Sequence, residues 1–306
     1  VTAPGSTEPA GADPVTALAD RLAADGYVAD RPLAMVLHLA LQLGSPVLLE
    51  GEPGVGKTSV AEALAAVTGA RLVRLQCYEG LTASHALYEW DYTRQLLDIR
   101  LAEARGASGD ELRATVFSTD HLLRRPLLDA IWPVDDRPVV LLIDEVDRAD
   151  EEFEALLLEL LGQFQITIPE IGTITAVRRP TIVLTANRTR SLSDALRRRC
   201  LYHWLPFPEL DREIAILSAR QPEASASLTR QTAQFVERLR AGHYRKSPGV
   251  SETLDWLRAL TLLGTTEIDP PRVAETLGVL LKDAEDLRTF SESDGARVFR
   301  ELGVLR

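Results

Sequence analysis

Cysteine is nearly absent from this 306-residue chain, which holds Cys77 and Cys200 and no others. One pair cannot build a disulfide framework, so a reducing compartment is expected and the location it implies is cytoplasmic. Neither cysteine has a C-x-x-C partner, and His38, His85, His121, His203 and His243 lack metal-ligand spacing, so no zinc site is expected. No catalytic Ser/His or Cys/His arrangement is readable. Long apolar runs are also missing. The most apolar stretch, Leu33–Leu49, is interrupted by His38, Gln42 and Pro46, so no membrane span is expected. A basic start followed by an apolar segment is lacking too, which argues against a signal peptide. Positive charge is in deficit: 34 Lys and Arg against 45 Asp and Glu leave a net charge of −11. That weighs against broad attraction to nucleic acid or anionic membrane, and leaves room only for a local basic patch. No internal repeat is found.

What is present is ordinary for a soluble protein with a full core: 45% hydrophobic and 26% charged residues. Residues 1–13 are small, polar and rich in Pro and Gly, and predict a disordered lead. From Val15 to Leu43 the apolar spacing is helical, with a break near Gly26 and Tyr27. Short apolar runs at 46–50, 71–76, 139–144, 181–186 and 201–205 have strand character, and helical patterns such as 57–67 and 151–164 separate most of them. Strands alternating with helices predict an α/β fold with a parallel sheet covered on both faces. Around Pro169 and Glu170 the text alternates apolar and polar, a hairpin signal. After Pro206 the strands stop, and 209–306 reads as helices broken by Pro222, Pro248, Pro270, Pro271 and Gly295. The expected organisation is an α/β core over 14–207 and a smaller all-helical domain over 208–306.

GEPGVGKTS (51–59) follows a predicted strand and opens a predicted helix, and fits G-x-x-x-x-G-K-[ST]. Glycines let backbone N–H groups turn around phosphate oxygens, and the helix start adds partial positive charge. Glu52, Pro53, Gly54, Val55, Gly56, Lys57, Thr58 and Ser59 are therefore candidate nucleotide ligands, with Lys57 on the β- and γ-phosphates and the Thr58 hydroxyl on Mg²⁺. The bland alternative is a glycine turn beside an incidental Lys-Thr. VVLLIDEVD (139–147) is an apolar strand ending in acid. Asp144 there can hold a Mg²⁺ shell and Glu145 can polarise an attacking water; alone, the pair would read as a solvated turn. Asn187, just after TIVLTA, can orient that water or touch the γ-phosphate, or can merely cap a turn. The expected cofactors are ATP and Mg²⁺.

LSDALRRRC (192–200) sets three arginines in an acidic chain. A planar, permanently charged guanidinium can neutralise charge building on a transferring phosphoryl group. The same residues can equally form a basic surface helix or an RNA-binding cluster.

GEPGVGKTS, LLIDEVD, LTANRTR and LSDALRRRC, in this order, resemble the Walker A, Walker B, sensor 1 and arginine-finger segments of an AAA+ ATPase. The interval 76–138 and the hairpin near 166–177 are similar to the helix-2 insert and pre-sensor-1 hairpin of the MoxR family. YVADRPLAMVLHLALQLGSPVLLEGEPGVGKT and QCYEGLTASHALYEWDY resemble its CoxD-like subgroup, associated with maturation of carbon monoxide dehydrogenase and related molybdenum hydroxylases. The resemblance covers about residues 20–300. It implies a homo-oligomeric ring, expected to be a hexamer, that hydrolyses ATP to remodel a protein client, with a von Willebrand A-type partner as a further expectation. In this alignment the finger reaching a neighbour's γ-phosphate is Arg199, then Arg198, then Arg197. Tyr27 and Val28 match the adenine-pocket position, although Tyr27 also suits plain helix packing.

One departure stands out. KSPGVSETLDW (246–256) has Gly249 where the family's sensor 2 arginine lies, with Lys246 and Arg245 as nearby cations. Tyr78, Tyr88, Trp90 and Tyr92 in the insert, and the hairpin tip, either face a ring pore or client or pack the insert onto the core. The second functional reading is a nucleic-acid-translocating motor of restriction type. A third is a nucleotide-gated module with little turnover. A GTP switch is not expected, since no NKxD text appears.

Overall fold

A computed structural model describes residues 13–106 and 118–303. The expected disordered lead lies, except for Asp13, outside the described residues, as does part of the insert. Nine strands, β1 to β9, are named here among the described residues. The main sheet has the order β2-β5-β8-β1-β9, with β1 at Val47–Gly51, β2 at Arg71–Gln76, β5 at Val139–Asp144, β8 at Thr181–Ala186 and β9 at Leu201–Leu205. β2 pairs with β5, β5 with β8 and β8 with β1, all in parallel. All residues of β1 and β5 are buried, which explains why they read as continuous apolar runs rather than alternating ones.

The register sets which chain ends meet. Gln76 lies opposite Asp144, and Glu50 opposite Ala186. The segments that follow β2, β5, β8 and β1 thus leave one edge of the sheet, the carboxyl edge where open α/β sheets bind ligands.

The described residues divide into two compact units. One contains Pro32–Glu50 and Ala61–His203, and hence nearly all of the sheet. Its core joins Leu48, Leu141, Leu184 and Leu157 with Leu127 and Ile131 of the helix Pro126–Ile131. The insert adds a helix at Tyr92–Ala104 and a two-stranded antiparallel ribbon of β3 (Tyr88–Trp90) and β4 (Leu122–Arg124). Its four aromatics divide: Tyr88 and Trp90 pack edge to face at 6.2 Å, whereas Tyr78 and Tyr92 are exposed. The hairpin forms from β6 (Gln165–Ile168) and β7 (Gly172–Thr175).

The other unit holds the described residues up to Arg31, Gly51–Val60, and those from Trp204 onward. Its helices include Pro14–Ala24, Leu210–Arg220, Ala226–Arg240 and Val250–Leu262, with a core of Phe235, Trp256, Phe290 and Phe299. Two expected breaks behave differently. Pro270 and Pro271 open the helix Pro270–Thr276, where a missing N–H costs nothing. Gly295 does not interrupt: the chain runs from Ala284 through a π turn at Phe290–Asp294 into Gly295–Glu301.

Candidate functional site

The phosphate loop belongs to the second of these units. β1 ends at Gly51, and after the turn the helix Lys57–Thr68 begins at the motif lysine. Gly54 and Gly56 have φ of +76° and +90°, the left-handed region that turns successive amides toward one side. Lys57 is buried, and its Nζ donates to the carbonyls of Gly51 and Glu52, each at 2.8 Å. Thr58 and Ser59 sit in the first turn of this helix. Such a loop fits an anion: it offers backbone donors, an ammonium and a helix start.

Two cavities border this loop within the unit. A narrow one of 80 Å³ is lined by Tyr27, Val28, Gly54, Gly56, Ser59 and Arg212, among others. The structure thus brings the two adenine-pocket candidates to the phosphate loop. Arg212, which sequence reasoning missed, holds their segment: its Nε donates to the Val28 carbonyl at 3.2 Å and its guanidinium to Asp30 at 2.5 Å. Burial pushes the Tyr27 hydroxyl pKa above its ordinary value, so it stays neutral. A wider cavity of 710 Å³ is lined by Glu52, Pro53, Arg245, Lys246 and Gly249, among others. The Arg245 side chain pairs with Glu285 at 2.6 Å.

Gly249 is the N-cap of Val250–Leu262 and lies against the phosphate loop. Val250 N donates to the Gly54 carbonyl at 2.8 Å. A Cβ on Gly249 would fall 2.8 Å from the Gly54 Cα, closer than real Cβ atoms come. Arg240 braces this turn, with Nε on the Pro248 carbonyl at 2.8 Å and a bidentate pair to buried Glu213 at 2.6 and 2.8 Å. At the position where the resemblance expects an arginine, this backbone packing admits no side chain.

The acidic strand end lies in the sheet-bearing unit. Asp144 is buried. Its Oδ1 accepts from the Thr185 hydroxyl at 2.5 Å, and its Oδ2 pairs with Arg74 at 2.5 Å. Asp144 is the hard oxygen donor a divalent ion takes, but both of its oxygens are engaged here, so a bound ion would replace Arg74 as the partner of Oδ2. Glu145 adopts a left-handed backbone, φ 54° and ψ 48°, at a cost of about 1–3 kcal/mol for a residue with a Cβ. Its N–H donates to the Thr185 Oγ1 at 2.9 Å, so one hydroxyl orients both acids. The Glu145 carboxylate accepts from Asn187 Nδ2 and from Gln76 Nε2, each at 3.2 Å. Asp147, the third acid of the run, is buried and accepts from the N–H groups of Asn187 and Thr189 at 3.1 and 2.7 Å. This set can hold a cation and a general base side by side.

Sequence reasoning found Asp144, Glu145 and Asn187 but not Gln76, Thr185 or Asp147. Gln76 ends a strand, as Asp144 does, and that position was its signal. Arg198 and Arg199 are exposed, and Arg199 donates to the Ala195 carbonyl at 2.8 Å. Arg197 instead pairs with Glu50 at 2.5 Å.

Known proteins resemble this chain at two levels. The profile of the AAA domain family, dynein-related subfamily, matches residues 46–200. A mutant of Thermotoga maritima RuvB has a similar fold, at 21% identity and a TM-score of 0.50, over 89% of this chain and 80% of that one. The Thermotoga maritima RuvB Holliday junction branch migration motor, at 21% identity, gives 0.45 over 90% and 80%. No helix among the described residues is long and apolar enough to cross a membrane.

Proposed function

Because the chain belongs to the dynein-related subfamily of AAA domains, we propose that it is a Mg-ATP hydrolase that works as a ring of its own copies. The observation that carries this reading is the Glu145 carboxylate, held by Asn187 and Gln76 directly after buried Asp144. A mere nucleotide-binding switch has no use for a base kept in a strained backbone at that point. The parallel strands support the rest, since β1, which the phosphate loop follows in sequence, runs parallel to β8 as β5 does.

In this mechanism Gly54, Gly56 and Lys57 bind the phosphates, and Tyr27 and Val28 flank the base. Thr58 and Asp144 would hold Mg²⁺, which when bound neutralises charge on the phosphate oxygens. Glu145 orients the attacking water and takes its proton, while Asn187 keeps the carboxylate aimed. Arg199, with Arg198 beside it, completes a neighbour's site, which makes hydrolysis depend on assembly. An arginine lent by one copy to the phosphate loop of the next makes a head-to-tail interface, which closes as a ring when the rotation between copies allows it.

The finer reading is a MoxR-type, CoxD-like ATPase that remodels a metalloenzyme client of the molybdenum hydroxylase kind, with a von Willebrand A-type partner. Its support is the insert, the hairpin and the text around 27–58 and 76–92. The net charge of −11 opposes the rival reading, a nucleic-acid-translocating motor of restriction type.

The test has two parts. Turnover per subunit is expected to rise with protein concentration, and Arg199→Ala subunits mixed with Glu145→Gln subunits are expected to regain activity that neither has alone. Concentration-independent turnover with no recovery at any ratio would reject the ring. Lys57→Ala is expected to abolish ATP binding by calorimetry. DNA-stimulated, salt-sensitive turnover would favour the motor, whereas metalloenzyme retained on Glu145→Gln with ATP would favour maturation.

A further inference from the structure

The three arginines are not equivalent. Arg198 and Arg199 are exposed, and neither meets a carboxylate among the described residues. Arg197 is half-buried and donates to Glu50 Oε1 at 2.5 Å. Glu50 is 3% exposed, and its second oxygen accepts from the Tyr202 hydroxyl at 3.1 Å. The Arg197 guanidinium also lies 5.7 Å from the centre of the Tyr202 ring. Both oxygens of this carboxylate are thus engaged, and a charge that deeply placed is tolerated only because its partner is fixed.

The position of Glu50 in the chain gives the pair its meaning. It is the residue just before Gly51, the first of the phosphate loop. The segment leading to the arginines is anchored at its other end as well: buried Glu154 pairs with Arg190 at 2.5 Å and accepts from Ser193 N at 2.9 Å. The short helix Asp194–Arg197 is therefore held between Glu154 and Glu50, and Arg198 and Arg199 follow directly at its end.

We propose that Arg197 is not lent to a neighbour but is a positioning residue, tying Arg198 and Arg199 through Glu50 to the root of the protomer's own phosphate loop. A subunit's readiness to complete its neighbour's site then depends on the state of its own. This rests on the ring reading above, in which those two arginines act in trans.

Mixed assemblies test it. Receivers carry Arg198→Ala and Arg199→Ala, with their own hydrolytic residues intact. Donors carry Glu145→Gln, so they hydrolyse slowly but keep their arginines, and receiver turnover is read as donor is added. Placing Arg197→Gln in the donor is expected to lower this stimulation at least about tenfold, while donor ATP affinity and assembly mass stay within about threefold. Glu50→Gln in the donor is expected to reproduce the loss, and Glu50→Gln with Arg197→Gln to add little to either. Arg197→Lys, which keeps the charge without the fork, is expected to restore part of the stimulation. Should Arg197→Gln not fold, Glu50→Gln and Arg197→Lys carry the comparison. Donors with a broken pair that stimulate as well as the parent donor would overturn the proposal alone. A parent donor that fails to stimulate receivers would overturn the ring reading, and this inference with it.

Discussion

Asn187 donates its side-chain amide to the Glu145 carboxylate, Nδ2 to Oε1, at 3.2 Å. Gln76 reaches the other oxygen at the same distance, so the candidate base is held from the last residue of β2 and from the residue just after β8. Glu145→Gln keeps the shape and removes the base. It is expected to bind ATP with unchanged affinity and to hydrolyse it about 10²–10⁴-fold more slowly. Asn187→Ala removes only the aim, so a smaller fall in kcat is expected, with KM little altered. Steady-state rates and calorimetry on both variants check the division of roles, and normal turnover in Glu145→Gln would remove it as the base.

The hydroxyl of Thr185 is placed to serve two neighbours in sequence, donating to Asp144 Oδ1 and accepting from Glu145 N. Thr185→Val is nearly isosteric and deletes both bonds in a buried site. A loss of about 1–3 kcal/mol is expected in urea unfolding, as for other buried polar groups left without partners. Activity is expected to fall as well, because the left-handed conformation of Glu145 loses its tether. Unchanged stability together with unchanged turnover would show that the hydroxyl orients neither acid.

Much of this site is written in short stretches of sequence. Runs such as VVLLID are continuous because the strand is buried on both faces, and the phosphate loop declares itself by glycine spacing next to Lys57 and Thr58. What local text cannot carry is pairing between distant residues. Arg74 meets Asp144 across 70 positions and Arg197 meets Glu50 across 147, and no periodicity links either pair. The same holds for β3 and β4, which pair across the insert. Composition also misleads where packing decides: of four insert aromatics, Trp90 is in the core, Tyr88 packs half-buried against it, and Tyr78 and Tyr92 are on the surface.

Burial pushes both thiols, Cys77 and Cys200, up to about 12. The carboxylates of Asp144, Asp147 and Glu145 add to the effect at Cys77. Thiolate is the reactive form, so the folded protein is expected to resist alkylation at pH 8, where an unfolded thiol with a pKa near about 8.5 reacts readily. Mass spectrometry after iodoacetamide treatment, with and without denaturant, measures this directly. Rapid modification of either cysteine in the folded chain would contradict the burial and with it the absence of a thiol nucleophile.

Gly249 offers the sharpest contrast between a pattern expected from resemblance and the local packing. Placing here the arginine that the resemblance to MoxR-type proteins implies looks like a gain, since it adds a cation beside the phosphate loop. The structure argues the reverse. The Gly249 and Gly54 backbones approach so closely that a Cβ on residue 249 would meet the Gly54 Cα at 2.8 Å and its carbonyl carbon at 2.9 Å. Both neighbours are backbone, so relief requires the helix Val250–Leu262 to move off the loop, breaking the bond from Val250 N to the Gly54 carbonyl. Gly249→Arg is therefore expected to weaken ATP binding and lower turnover, and Gly249→Ala, with no added charge, is expected to do the same through the Cβ alone. If the arginine variant bound ATP more tightly while the alanine variant matched the parent, the turn would have room for a side chain, and the close packing of this helix on the phosphate loop would not be what excludes the arginine.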